Sequence, residues 1–488
     1  MFKTLLSNIY YILPEIVLLL GSFIATLTGA FIRKKSFYTV TNITIVTFII
    51  SLYFTLTINF NQRLLFQNSM LLSKFTQFSK SIVLMFNIIV ITIFGYFDNL
   101  SINNQIRVFE IPIIMTLSTI GMCIIISSNS LLIFYLGLEL LNLGLYIMIA
   151  TNKNIYQSIE ASLKYFSLGA VSSGMFLFGT SLVYGTSGSV IFENIKLACI
   201  AQGCVNNSAI ILLVGVSLII AALMFKLSLF PFHSWTPDVY EGAPNYSTIF
   251  LASSKKFTIL IAMIRLIFEP FIIFKPLIQE ILILIGVVSL LFGNIVALIQ
   301  NNIKRIIGYS TISHMGFLLL ATVKIYNKDC LTYVIFYSIT YIVQITTLFA
   351  IFIILKNKSN YNGDLDKLKG LSKNNTFISF ALIIVLFSML GIPPLTGFFA
   401  KFYVLTILVR SQVYYLVIVV LVTTVISAFY HLNIIRKLYF DELKNNTAPL
   451  KINLNVIEIS IIILGIVFNI FYIVYPSYIL EIIKNHII

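Results

Sequence analysis

Charge is scarce in this sequence. Of 488 residues only 10% are Asp, Glu, Lys or Arg, while 59% are hydrophobic and the mean hydropathy is +0.99. No water-soluble core of this length needs that much apolar surface. Long polar segments are missing too. The most extended polar connections run over residues 61–80, 356–375 and 438–454, which leaves no room for a soluble catalytic domain. Cysteine is sparse: Cys123, Cys199, Cys204 and Cys330 show no C-x-x-C spacing, and Cys123 lies inside an apolar run, so nothing points to a metal or iron–sulfur site. The start, MFKTLLSNIYYILPEIVLLLG, has no Arg- and Ser-rich presequence and no small-residue cleavage site, so no removable targeting peptide is expected. Acidic residues are outnumbered 17 to 32 by basic ones, a formal net charge of +15. The basic residues mostly sit in short connections between apolar runs, so this excess is no sign of a nucleic-acid partner.

Apolar runs of about 20 residues recur along the chain, each long enough to cross a roughly 30 Å hydrocarbon layer. The expected fold is an all-α polytopic membrane protein, one transmembrane domain over 1–488. Fourteen spans are predicted, near 9–30, 39–60, 81–98, 110–127, 130–150, 162–184, 208–231, 245–268, 275–299, 303–323, 331–355, 376–408, 412–437 and 455–480. Orientation follows from lysine and arginine in short loops. With both termini outside, the inner loops hold Arg33, Lys34, Lys35, Lys304, Arg305, a cluster from Lys356 to Lys373, and Arg436, Lys437 and Lys444. The outer loops hold fewer, among them Arg63, Lys74, Lys80, Lys196, Lys275, Lys324 and Lys328.

The chain is organised around FKLSLFPFHSWTPDVYEGAP, residues 225–244. Lys226 sits in an apolar helix that Pro231 breaks, and His233, Trp235, Pro237, Asp238 and Glu241 follow in a compact turn. An ammonium group at membrane depth is costly and usually functional. The broken helix frees backbone carbonyls that protein or water must satisfy. The plainer alternative is that Lys226 snorkels to an interface. Span five carries one carboxylate, Glu139, which must be neutral or paired with a cation, and Lys226 is its natural partner. Otherwise Glu139 only joins helices by hydrogen bonding. Glu160 and Lys164, four apart at the inner end of span six, read as an interfacial salt bridge.

Span eight carries Lys255 and Lys256 part-way into the membrane. Adjacent helical residues diverge by about 100°, so one of the two is expected to face a polar interior. Arg265 is expected to anchor at the outer end. Span ten, NNIKRIIGYSTISHMGFLLL, places Ser310, Ser313 and His314 beyond Lys304 and Arg305; His314 is either a packed residue or a proton relay. Span twelve, FSMLGIPPLTGFFAKFYVL, repeats the interruption of span seven, with Lys401 beyond the break. Two broken helices with a lysine each, five spans apart, predict an inverted repeat: residues 110–268 against 275–437.

Five blocks, FKLSLFPFHSWTPDVYEGAP, LGLELLNLGLY, EASLKYFSLGA, NNIKRIIGYSTISHMGFLLL and GIPPLTGFFAKF, fall in order over roughly residues 110–440. Together they resemble the N-type antiporter-like subunits of proton-pumping NADH:quinone oxidoreductase, subunit 2 of respiratory complex I. The resemblance implies a membrane-arm subunit that translocates protons, coupled to ubiquinone reduction elsewhere in the complex. It implies no cofactor in this chain, with NAD, FMN, iron–sulfur clusters and quinone bound by other subunits. The partners it implies are the lipid bilayer and the other membrane-arm subunits, including the sister antiporter-like ones, and no nucleic acid. Its proton-translocating residues fall on Glu139, Lys226, Lys256, His314 and Lys401; Lys255 stands where the family usually has a small residue. Burial and a nearby carboxylate act on a lysine's proton in opposite senses. Separating Glu139 from Lys226 would therefore release a proton toward Lys256, His314 and Lys401, along a polar axis in the membrane plane. A composition rich in Ile, Asn, Lys, Phe and Tyr suits an AT-rich organelle genome and hence the mitochondrial inner membrane, with a bacterial plasma membrane as the alternative. A stand-alone cation/proton antiporter is the rival function. It would need carboxylates or carbonyls for a metal cation, and Glu139 is the only acid expected deep in a span.

Overall fold

In a computed structural model the protein is almost wholly helical. The structure describes residues 8–32, 36–58, 62–97, 109–152, 154–202, 207–323, 328–359, 361–441, 452, 454–472 and 475–487. Arg33, Lys34, Lys35, Cys204, Lys324 and Lys444 lie outside them. Ten helices among the described residues are long and apolar enough to cross a membrane, or up to eleven if the bent C-terminal pair forms one span. The chain folds into two compact units: residues 1–95, 104–227 and 254–280 form one, and residues 96–103, 228–253 and 281–488 the other.

The first unit holds α1 (Leu13–Phe31), α2 (Ser36–Thr57) and most of α3 (Lys74–Phe97), followed by α4 (Glu110–Ser127), α5 (Leu131–Ile149), α6 (Tyr156–Ser187), α7 (Phe192–Gln202), α8 (Asn207–Leu227) and α11 (Ser254–Phe268). In the connection before α3, β1 (Arg63–Leu65) pairs antiparallel with β2 (Met70–Leu72). Small residues set the helix contacts, as they do where lipid removes the hydrophobic drive between helices. A Cβ on Gly121 of α4 would come 2.8 Å from the Gly137 carbonyl of α5, and one on Gly179 of α6 would come 2.7 Å from the Gly215 carbonyl of α8.

The second unit takes the segment after Leu227: α9 (Trp235–Gly242) and α10 (Asn245–Ala252). To these it adds α12 (Lys275–Ile299) from Ile281 on, α13 (Ile303–Val323), α14 (Lys328–Ser359), α15 (Leu371–Asn374), α16 (Thr376–Leu390), α17 (Thr396–Arg410), α18 (Tyr414–Tyr439), α19 (Val456–Phe471) and α20 (Pro476–Ile487). α9 packs on α13, and α10 on α14. Gly308 of α13 leaves room for Pro237, whose Cα would lie 3.0 Å from an added Cβ. Gly286 and Gly316 bring α12 and α13 together as Gly121 and Gly137 do in the first unit.

Many serines and threonines inside these helices turn their hydroxyls onto their own helix backbone, which satisfies them without water. Thr116 donates to Ile113 O at 2.6 Å and Ser338 to Ile335 O at 2.7 Å. Large apolar side chains such as Phe23, Leu163, Phe178 and Phe429 point outward, as a hydrocarbon solvent permits. Span eight differs from its expected single helix. Ser253 (φ −100°, ψ −96°) interrupts it, so that α10 and α11 belong to different units.

Candidate functional site

Each unit contains a broken span whose last carbonyl is capped by a lysine. In the first unit, α8 ends at Leu227, where the regular ladder stops and the last carbonyls need donors from outside the helix. Lys256 of α11, 2% exposed, donates to Leu227 O at 3.3 Å. A cation at a helix C-terminus also meets the negative end of the helix dipole. Lys226, one residue earlier, is likewise 2% exposed; its Nζ has no hydrogen-bond partner and lies 5.2 Å from the centre of the Phe225 ring.

Glu139 is half-buried on α5. It makes no hydrogen bond with Lys226, whose Nζ has no partner, and Glu139 Oε1 has none either. Both amide atoms of Asn142 and the hydroxyl of Tyr146 are also without one. At spacings of three and seven these groups continue the Glu139 face of α5. Buried polar atoms without protein partners are where ordered water binds.

Lys255 is buried as fully as Lys256, against the expectation that only one would find a polar environment. It donates to the Tyr165 hydroxyl and lies 4.8 Å from the centre of that ring. The two lysines diverge as helical geometry requires, one toward α6 and the other toward the end of α8. Glu160 and Lys164 form a half-exposed pair at 2.7 Å. Arg265 does not reach outward. It is 4% exposed, donates to Glu269 Oε1 and Oε2 at 3.0 and 2.9 Å, and donates to the carbonyls of Ile126 and Ser128 at 2.6 and 2.9 Å, capping the C-terminus of α4.

In the second unit span twelve breaks between α16 and α17, where Gly391 takes φ +90°. That left-handed position favours glycine. Lys401 returns from α17 to donate to Leu390 O, the last carbonyl of α16, at 2.8 Å. His314 Nδ1 bonds the Tyr337 hydroxyl at 2.7 Å. His314 and Lys401 line one polar cavity of about 20 Å³ with Ser313, Tyr337 and His431, room for one or two waters. Ser310 is not among its lining residues; its hydroxyl donates to Ile307 O. The acidic turn meets Arg305 here: its guanidinium bonds Asp238 at 3.1 Å and Glu241 at 2.9 Å, while Asn302 donates to Glu241. His233 is flanked by the Phe230 and Phe292 rings. Among the described residues, no three His, Cys, Asp or Glu side chains stand close enough to share a metal ion.

Several polar features escaped the sequence reading. A second acid is buried, near a helix end: Glu15 in the first turn of α1, 5% exposed, pairs with Lys80 of α3, a residue assigned to an outer loop. Lys358 pairs with the buried Glu458. That acid closes a capping box with Asn455, which the Asn-x-x-Glu spacing would have revealed. Around the span-twelve break, Asn469 Oδ1 accepts from Ser388 at 2.6 Å and Thr396 at 2.9 Å, while Gln344 donates to Ser388 at 2.8 Å.

A family model described as NADH:quinone oxidoreductase/Mrp antiporter, TM, matches residues 128–427, which include both broken spans. The chain belongs to this family. NADH-quinone oxidoreductase subunit N of Pelagibacter ubique is 37% identical, over 98% of this chain and 99% of its own length. Subunit N 1 of Rhizobium meliloti is 36% identical over 91% of each. A chain of respiratory complex I from Thermus thermophilus, solved with bound Aureothin, superposes with a TM-score of 0.78 at 25% identity, covering 96% of this chain and 98% of that one. A chain of the Mrp complex from Dietzia shares the fold, with a TM-score of 0.81 at 15% identity over 99% of this chain and 97% of its own. The fold is thus shared with chains of both respiratory complex I and the Mrp complex, and the sequence relatives named above are NADH-quinone oxidoreductase N subunits.

Proposed function

We infer that the chain is a membrane-arm subunit of a proton-translocating NADH:quinone oxidoreductase, and that it moves protons through Glu139, Lys226, Lys256, His314 and Lys401. The observation that carries this is the pair of broken spans, each with its final carbonyl held by a lysine ammonium, Lys256 buried and Lys401 half-buried. An ammonium held by a neutral carbonyl keeps its position whether or not it carries the extra proton, which suits a site that loads and unloads. The redox groups (NAD, FMN, iron–sulfur clusters, quinone) belong to other subunits in this reading, and the sister antiporter-like subunits are the neighbours within the membrane.

The finer architecture is fourteen spans with two inverted five-helix repeats, 110–268 and 275–437. Support comes from matched features: Gly121 against Gly137 and Gly286 against Gly316 join the first two helices of each repeat, and a lysine flanks the break of the fourth span in each. The bacterial relatives favour a bacterial plasma membrane, whereas the AT-rich composition favours the mitochondrial inner membrane. Lys226→Ala and Lys401→Ala, measured in membrane vesicles carrying the assembled complex, are each expected to lower proton translocation. Unchanged proton-to-electron stoichiometry in both variants refutes the assignment, and migration of the chain apart from NADH dehydrogenase activity in native electrophoresis refutes membership of the complex.

A further inference from the structure

The cavity of the second unit is lined by a histidine that none of the sequence motifs contains. His431 lies on α18, 3% exposed, and shares the cavity with His314 of α13 and Lys401 of α17. Its Nδ1 lies 2.9 Å from Ser427 O, one turn back on the same helix. A carbonyl oxygen only accepts, so Nδ1 carries the proton of the neutral ring and Nε2 keeps its lone pair. The other walls supply hydroxyls: Tyr337 bonds His314, and Tyr430 donates to Asn294 Oδ1 at 3.2 Å.

We propose that His431 is a third proton-carrying residue of this cavity, exchanging protons with Lys401 at Nε2. The inference rests on the proton-translocation reading above. In the step, Lys401 Nζ gives up one proton and becomes a neutral amine, while His431 Nε2 gains one and becomes imidazolium. One or two waters fit in the cavity to bridge the two groups, and its net charge does not change. The serine carbonyl holds the ring in one tautomer in both states, since Nδ1–H donates to it before and after. Without His431, a proton leaving Lys401 would have only His314 and neutral hydroxyls to go to.

The test compares His431→Gln, His431→Asn and Lys401→Ala in vesicles carrying the assembled complex, reading complex assembly, NADH-driven quinone reduction and the rate of ΔpH formation. The glutamine and asparagine variants keep a polar side chain that cannot titrate. The expected result is normal assembly with a loss of translocation of roughly tenfold or more, as for removal of a proton-transfer group, similar to that in Lys401→Ala. Full translocation in an assembled His431→Gln complex, with Lys401→Ala impaired, overturns the proposal and leaves the general reading intact. If Lys401→Ala is also unimpaired, the proposal falls together with the role of Lys401 on which it rests. Failure of both His431 variants to assemble makes His431 a packing residue and likewise overturns the proposal.

Discussion

Replacing Asn469 with leucine tests whether α19 holds the break that positions Lys401. Asn469 Oδ1 accepts two hydroxyl hydrogen bonds, from Ser388 at the end of α16 and Thr396 at the start of α17, so one atom of α19 ties both sides of the break. Asn469 is fully buried, so water does not replace the lost acceptor. Interhelical hydrogen bonds in membrane proteins average about 0.6 kcal/mol each and reach about 1.7. Losing two therefore costs roughly 1.2 kcal/mol, with an upper bound of about 3.4. Ser388 Oγ still accepts from Gln344 and from the Gly397 N–H, which keeps the expected value at the lower end. Thr396→Val removes one of the two bonds and is expected to cost about half as much. Because the bonds share one acceptor, the double variant should cost no more than Asn469→Leu alone. The assay is a temperature ramp on the solubilised complex, following thiol labelling of the buried Cys330 on α14 by mass spectrometry. Unchanged protection in Asn469→Leu, or full additivity in the double variant, refutes the idea that Asn469 clamps the break.

Lys256→Met is expected to reduce proton translocation in an assembled complex. Lys255→Met and Tyr165→Phe should instead lower the stability of the chain and leave the proton-to-electron ratio unchanged; the same vesicle assay separates the two outcomes. Arg265→Met leaves the carbonyls of Ile126 and Ser128 without their shared donor, at about 1–3 kcal/mol for each buried group left unpaired, and is expected to lower the steady-state amount of assembled subunit on immunoblots. Outside the membrane, hydrogen bonds from Lys369 and then Lys437 hold the Asp366 carboxyl down at about 2. A depressed carboxyl contributes stability that is present above its ordinary value near 4 and is lost as pH falls through about 2. Asp366 is well exposed, so solvent screens much of this. Proteolysis of the 360–375 connection should therefore be flat from pH 8 to 5 and rise only in strong acid, whereas Asp366→Asn should lack the acid-dependent rise; a step near neutrality in the native chain refutes the pairing.

What was legible in the sequence was what hydropathy and interruption encode. Each expected span contains a helix or a helix pair, and the breaks at Pro231 and at Gly391–Pro394 fall where proline and glycine forbid an unbroken ladder of hydrogen bonds. The partners of the buried charges were less legible. Nothing in the order of residues says that Lys256 reaches back to Leu227, or that Lys255 turns the other way to Tyr165. Both follow from the rotation of α11 about its axis, which hydropathy does not report. Glu15–Lys80 was missed because each residue lies at an end of its span, where a few residues' uncertainty in the edge decides between loop and bilayer. His431 was missed for a different reason: it carries no motif, and only packing puts it in a cavity with His314 and Lys401. The lesson is directional. In a polytopic chain, sequence locates the costly groups, because an ionisable residue in an apolar run is conspicuous wherever it points. Which of them exchange protons depends on carbonyls freed at helix breaks and on side chains from other helices, and these are properties of the fold. The two lysine-capped carbonyls illustrate it: proline and glycine in the sequence create the acceptors, but only the packed helices determine which ammonium answers each one.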